Sequence, residues 1–202
     1  MKKLESKRIF NGEVEFMLGV NNIEQLPSHH YVEVAFAGAS NVGKSSLMNA
    51  VLGQKIAIVS STPGRTKQLN FFKVAQRFIM VDMPGYGYAK ANKQQIEHWQ
   101  KTALEYLTNR ANLKRVFLLL DPTKGLKDAD LEMINIFNAL AVSFEIVFTK
   151  SDRLSREELS QMDDEIKTAA KKWPAFYDKI IHTSSYKGYG VDDLQDEILS
   201  CL

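Results

Sequence analysis

The sequence predicts a three-layer α/β/α domain with a mostly parallel central sheet and one antiparallel edge strand. Three observations carry that reading. Apolar runs of strand length recur along the chain; Val116-Phe117-Leu118-Leu119-Leu120 is apolar throughout, as expected of a parallel strand covered on both faces. Between such runs lie segments whose apolar residues repeat at helical spacing, Ile96, Trp99, Ala103 and Leu107 in one and Leu159, Met162, Ile166, Ala169 and Trp173 in another. A chain of 202 residues is long enough for one such domain with a full core and leaves no room for a large second unit.

Composition sets further bounds. With 45% hydrophobic and 25% charged residues, no collagenous, disordered or membrane class is indicated. A net charge of +2 permits a polyanionic partner without requiring one. The single cysteine, Cys201, excludes an internal disulfide and a Cys-based zinc cluster. The charged N-terminus is followed by no long apolar stretch, so the expectation is a soluble, intracellular protein with no membrane partner.

Residues 1–30 read as an N-terminal extension, in which Glu13-Val14-Glu15-Phe16-Met17-Leu18 alternates well enough for a strand or arm. Residues 31–202 form the main domain. The adjacent pair His29-His30 would face opposite ways on an extended chain and reads as loop rather than metal site. An apolar run from Val32 to Ala37 then enters Gly38-Ala39-Ser40-Asn41-Val42-Gly43-Lys44-Ser45-Ser46, and Leu47 opens a helix-forming segment. Strand, G-x-x-x-x-G-K-S loop and helix together make a phosphate-binding loop, or P-loop. Its glycines let successive N–H groups point inward, where the helix N-terminus adds its positive end. Lys44 would reach the β- and γ-phosphates, and the Ser45 hydroxyl would ligate Mg²⁺.

The polar stretch Ser60-Ser61-Thr62-Pro63-Gly64-Arg65-Thr66-Lys67 reads as a mobile loop that lays the Thr66 hydroxyl on the Mg²⁺, with Pro63-Gly64 as hinge. Gly64, Arg65, Lys67 and Gln68 are assigned to the nucleotide site with it, and Lys44 and Thr66 to catalysis. Two strands joined by a short turn follow, at Phe71-Phe72-Lys73-Val74 and Phe78-Ile79-Met80-Val81. The second ends in Asp82-Met83-Pro84-Gly85, a D-x-x-G tetrad: a strand-end carboxylate can hold Mg²⁺ through water, and Gly85 lets its backbone N–H approach a γ-phosphate. Tyr86 takes the place where a water-orienting Gln usually follows that tetrad, and a phenol is a poor substitute. A helix with Leu131, Ile134, Asn138 and Ala141 on one side follows the Val116 run.

Phe144-Glu145-Ile146-Val147-Phe148 leads into Thr149-Lys150-Ser151-Asp152. Guanine offers N1–H and N2–H₂ as adjacent donors that one carboxylate accepts together, and adenine has no such pair. Asp152 therefore selects GTP over ATP, and the aliphatic stem of Lys150 packs along the base. Ser155 and Glu158 form a capping box for the next helix. Thr183-Ser184-Ser185 is a polar turn whose backbone N–H groups would meet the guanine carbonyl. Two basic groups stay open between a solvated face and a phosphate-backbone contact: Lys167, Lys171 and Lys172, and, near the loops, Arg65, Lys67, Lys73, Lys90 and Lys93.

Taken together, G-x-x-x-x-G-K-S, a Thr-bearing loop, D-x-x-G, T-K-x-D and T-S-S stand in the order of a small GTPase domain. More narrowly, Gly38 to Ser46, Thr62-Pro63-Gly64-Arg65-Thr66, Asp82-Met83-Pro84-Gly85-Tyr86-Gly87-Tyr88-Ala89 and Thr149-Lys150-Ser151-Asp152 resemble the EngB (YihA, YsxC) family, bacterial GTPases of the TrmE–Era–EngA–EngB–Septin group. The likeness spans about residues 20–200. It implies a P-loop fold and a cytoplasmic, monomeric GTPase that acts on the precursor of the large ribosomal subunit, its RNA and proteins, with Mg²⁺ at Ser45 and Thr66. Asn41 resembles the potassium-coordinating Asn of the TrmE relatives, which would make K⁺ a second cation. Two positions depart from the pattern: Thr149 stands where most GTPases have Asn, and Ala39 where the family usually has Arg. Two other function classes stay open: a GTP-gated binding module on ribosomal RNA whose turnover only resets it, and a GTP-dependent switch on a protein partner in cell division.

Overall fold

The computed structural model of the chain describes residues 2–56, 68–87 and 93–202, with residues 2–5 and 93–100 described by their backbone alone. In chain order the elements are α1 (Lys2–Phe10), β1 (Val14–Val20), β2 (Val32–Gly38), α2 (Lys44–Leu52), β3 (Leu69–Val74), β4 (Phe78–Asp82) and α3 (Lys93–Asn109). They continue with β5 (Leu113–Leu120), α4 (Asp128–Ala139), β6 (Phe144–Phe148), α5 (Arg156–Ala170), β7 (Phe176–His182) and α6 (Val191–Ser200). The strands form one seven-stranded sheet in the order β1-β3-β4-β2-β5-β6-β7.

From β4 to β7 every neighbour is parallel, while β3 runs antiparallel to both β4 and β1. The reversal at β3 comes from a two-residue turn: Ala75 and Gln76 have φ of 47° and 53°, and Arg77 N–H closes on Val74 O at 2.9 Å. Positive φ at both central positions gives the turn whose twist matches that of paired strands. The strand that opposes the others is thus second from the edge, because β1 pairs outside it.

Period-two alternation sorts side chains between the two faces. Val34 and Phe36 join the core formed with α1, α2 and α6, where Phe10, Leu47 and Leu194 are fully buried. Ala35 and Ala37 join the opposite core, formed with α3, α4 and α5 through Tyr106, Phe137 and Ile166. On α4 the buried positions are Asp130, Ile134 and Phe137, and Leu131 is turned outward, one step round from the stripe that the spacing suggests. Phe137 decides this, meeting Phe144 with ring centroids 5.3 Å apart.

No helix is expected before residue 13, yet α1 forms there. Of its described side chains Ser6, Ile9 and Phe10 are buried, too few for a helical period to show in the sequence. Phe10 meets Phe78 edge-on at 5.9 Å, and burying a side chain of that kind contributes about 1.5–3 kcal/mol. The entry to β2 is held by a polar network. Fully buried Glu33 accepts from Tyr106 Oη at 2.8 Å and from Arg110 Nε at 2.9 Å, with His29 Nε2 3.0 Å from the same carboxylate. His29, read as loop from sequence, has its pKa lowered by burial against the pull of Glu33. Among the described residues no helix is long and apolar enough to cross a membrane.

Because β4, β2, β5, β6 and β7 are parallel, their C-terminal ends share one edge of the sheet. Asp82, Gly38, Leu120, Phe148 and His182 end there, and the connections that leave that edge are where ligands bind in open α/β sheets.

Candidate functional site

β2 ends at Gly38, where a Cβ would lie 2.9 Å from both Leu119 O and Val42 Cγ1, so only glycine fits the close approach of the loop to β5. The loop is stitched to the segment after β4: Ser40 N–H donates to Tyr86 O at 3.0 Å, and Tyr86 N–H to Gly38 O at 3.4 Å. Asn41 has φ of 65° and Gly43 of 109°, two left-handed residues that curl the chain before Lys44 begins α2. The first-turn amides of a helix, here those of Lys44, Ser45 and Ser46, lack an acceptor within it. With the helix dipole they form an anion-binding end. Lys44 is buried and ion-paired with Asp82, itself only 3% exposed at the end of β4.

The D-x-x-G segment lies directly against the P-loop. A Cβ on Gly85 would be 3.1 Å from Ser40 Oγ and 3.3 Å from Ser40 N, so any larger residue would have to push Ser40 back by a few tenths of an ångström. Met83 N–H donates to Phe36 O at 3.0 Å, and both Met83 and Pro84 are buried, which ties the segment to the end of β2. The Tyr86 phenol turns into the protein and donates to Asp130 Oδ1 at 2.7 Å. Burial and the Asp130 carboxylate raise its pKa well above the ordinary phenol value. Asp130 in turn accepts from Lys127 N–H at 3.0 Å.

The T-K-x-D loop after β6 is clamped to the P-loop at two consecutive carbonyls. Thr149 Oγ1 donates to Val42 O at 2.6 Å, with Leu120 O at 3.2 Å, and Lys150 Nζ donates to Asn41 O at 3.0 Å. Lys150 Nζ also meets Asp121 Oδ2 at 2.7 Å. Burial would raise the Asp121 pKa, but the hydrogen bonds from Lys150 and Thr123 hold it below the ordinary carboxylate value. Ser151 N–H donates to Thr183 O at 3.1 Å, and Thr183 N–H to Phe148 O at 2.7 Å, so the T-S-S turn is spliced to the end of β6. Within that turn Ser184 Oγ donates to Asp152 Oδ1 at 2.6 Å and fixes the carboxylate. Ser184 N–H itself donates to Tyr189 O at 3.1 Å, which leaves Ser185 as the neighbouring donor of the turn.

The structure therefore brings together Gly38 to Ser46, Asp82 to Gly85, Thr149 to Asp152 and Thr183 to Ser185. Gly64, Arg65, Thr66 and Lys67 lie outside the described residues, as does Lys90. Gln68 uses its side chain at the sheet edge, accepting from Asn21 Nδ2 at 3.1 Å and donating to Asn70 Oδ1 at 3.0 Å. Lys73 is paired with Glu15 at 2.7 Å. Asp121 and Asp130 belong to the site without carrying a motif. Asp121 had one visible signal: like Asp82, it follows an apolar strand at the ligand edge of a parallel sheet. Among the described residues no three His, Cys, Asp or Glu gather into a metal cluster. A hydroxyl and one or two carboxylates beside a phosphate loop suit Mg²⁺, which keeps waters and leans on substrate phosphates.

A P-loop at the C-terminal edge of a mostly parallel sheet, with D-x-x-G packed on it and a T-K-x-D loop clamped to it, defines a P-loop GTPase. A family model described as "50S ribosome-binding GTPase" matches residues 33–150. "Probable GTP-binding protein EngB" of Gluconobacter oxydans is 48% identical over 195 residues, 96% of this chain and 86% of that one. The protein of the same name from Caulobacter vibrioides is 40% identical over 200 residues, 98% and 87% of the two chains. The chain belongs to the EngB family of GTP-binding proteins. A crystal structure of a probable GTP-binding protein EngB shares the fold with a TM-score of 0.67 at 21% identity, over 84% of this chain and 98% of that one. Era in complex with MgGDPNP and nucleotides 1506–1542 of 16S ribosomal RNA gives 0.68 at 28% identity, over 86% of this chain and 58% of Era.

Proposed function

We propose that this GTPase is a GTP-gated assembly factor for the large ribosomal subunit, cytoplasmic and monomeric, whose own hydrolysis is slow. The observation that carries the nucleotide part is the splice between loops: Thr149 and Lys150 grip the P-loop carbonyls while Ser184 holds Asp152. Phosphates and base would then be read by parts that cannot shift independently. Asp152 accepts the two guanine donors, and the amides of Gly43, Lys44, Ser45 and Ser46 receive the phosphates.

Lys44 would exchange the Asp82 carboxylate for phosphate oxygens as nucleotide enters, which would free Asp82 to help hold Mg²⁺ through water. Ser45 and Thr66 would hold Mg²⁺, which neutralises charge on the β- and γ-phosphoryl oxygens. Asn41 would hold K⁺ beside them. A slow intrinsic rate follows from Tyr86, whose buried phenol is engaged by Asp130 and so is not aimed at an attacking water.

The ribosomal part is supported by the description of the matching family model and by the relative Era, solved with ribosomal RNA. Sedimentation of the protein with ribosomal particles tests it. The expected result is salt-sensitive co-sedimentation with large-subunit particles in a non-hydrolysable GTP analogue and little in GDP. Equal recovery in both nucleotides, or none in either, contradicts the proposal. Equal hydrolysis rates in K⁺ and Na⁺ buffers would remove the K⁺ assignment alone.

A further inference from the structure

We infer that Asp121 is a positioning residue for nucleotide retention: its carboxylate holds the Lys150 ammonium as a strut between the base-recognition loop and the P-loop. This rests on the guanine-nucleotide reading of the site and adds to it a residue that none of the motifs includes.

The two oxygens of Asp121 do different things. Oδ1 caps the 3-10 turn at Pro122–Lys124, accepting from Thr123 N–H at 3.2 Å and from Thr123 Oγ1 at 2.6 Å. That fixes the carboxylate plane and turns Oδ2 to Lys150 Nζ at 2.7 Å. The Asp121 side chain is 5% exposed and that of Lys150 26%, so solvent reaches the pair from the lysine side only. Lys124 stays 4.0 Å away with its side chain half exposed.

The strut joins two strained residues. Lys150 has φ of 53° and Asn41 of 65°, both in the left-handed region that non-glycine residues rarely occupy. Such conformations persist where surrounding contacts over-determine them. Here Lys150 Nζ reaches back to Asn41 O at 3.0 Å, one residue from the Thr149–Val42 contact. With its carbonyl drawn to Lys150 or Thr149, each peptide plane turns the following N–H the other way. For the Val42 carbonyl that N–H belongs to Gly43, at the mouth of α2. Without the Asp121 carboxylate, the partner left to Lys150 among the described residues is a neutral carbonyl, and both the base platform and the P-loop curl lose a restraint.

The test is the rate at which a fluorescent GDP analogue leaves the full chain in Mg²⁺ buffer. It is measured for wild type, Asp121→Asn, Lys150→Met and the double variant, with Asp152→Asn as a control. Asp121→Asn should release GDP about tenfold faster, as expected for loss of one hydrogen bond between charged groups. On the Lys150→Met background it should add less than about twofold, because the two residues act as one unit. If Asp121→Asn does not fold, Asp121→Ser replaces it, since serine keeps the cap on the Thr123 amide and lacks the second oxygen. An unchanged release rate overturns the proposal, as do independent, multiplying effects of the two substitutions. The control separates the two levels: Asp152→Asn proteins that bind xanthosine diphosphate uphold the base reading whatever Asp121 does. Failure of that exchange removes the reading on which the strut depends.

Discussion

Replacing Lys44 with methionine removes an ammonium while keeping the stem, and the structure sets the consequence. Lys44 and Asp82 have side chains 8% and 4% exposed, so neither charge can be compensated by water when the other goes. Breaking a buried pair from one side destabilises by about 3–5 kcal/mol, because the remaining charge is left unpaired. In a domain of this size each kcal/mol moves the unfolding midpoint by about 2–4 °C, so Lys44→Met should melt about 6–20 °C lower without nucleotide. Adding Asp82→Asn removes the orphaned charge and should restore most of that loss. GDP and GTP binding should stay abolished in both variants, because the phosphate ligand is gone from each. Thermal unfolding followed by circular dichroism, with nucleotide titration on the same samples, reads both effects. A Lys44→Met midpoint within a degree of wild type, or no recovery in the double variant, refutes the reasoning.

Two further outcomes follow from other parts of the molecule. Asp152→Asn should move preference from guanosine to xanthosine nucleotides, since the amide can donate where xanthine offers a carbonyl; competition binding with the two diphosphates reads this, and an unaltered preference counts against it. Far from the site, fully buried Glu145 is pushed up to about 8, first by burial and then by its hydrogen bond to Glu197, despite Arg115 beside it. The folded chain therefore keeps a proton that the unfolded chain, with an ordinary value of 4.5, releases. The stability from this group is full below 4.5 and is lost as pH rises through about 8. Glu145→Gln, which cannot titrate, should remove that share of the decline in melting temperature between about pH 5 and pH 9. Parallel curves for the two proteins would show that Glu145 is ionised throughout.

What was legible in the sequence was what is local. Gly38 to Ser46, Asp82 to Gly85 and Thr149 to Asp152 are contiguous strings, each with a chemistry that its own spacing encodes. Their strands could be recognised from the apolar runs that precede them. The contacts that join the strings were not legible, because they cross the sheet. Asp121 precedes Lys150 by 29 positions and reaches it only because β5 and β6 are neighbours. Tyr86 could be seen to replace a glutamine, but not that Asp130, 44 residues on, would take its hydroxyl. The edge of the sheet follows the same rule. The β3–β4 hairpin is a local event, whereas pairing Val14 with Val74 brings together positions with β2 and α2 between them. The α1 helix was invisible because, among its described side chains, two apolar residues in the last turn anchor it, and two positions make no period.

The central claim is that the P-loop and the T-K-x-D loop together hold one guanine nucleotide with magnesium. Isothermal titration of the nucleotide-free wild-type chain with GDP, GTP and ATP in Mg²⁺ buffer tests it most directly. Saturable binding of GDP and GTP at one site per chain, with no measurable binding of ATP, is the expected result. No saturable uptake of either guanine nucleotide, or ATP binding as tightly as GTP, would contradict it.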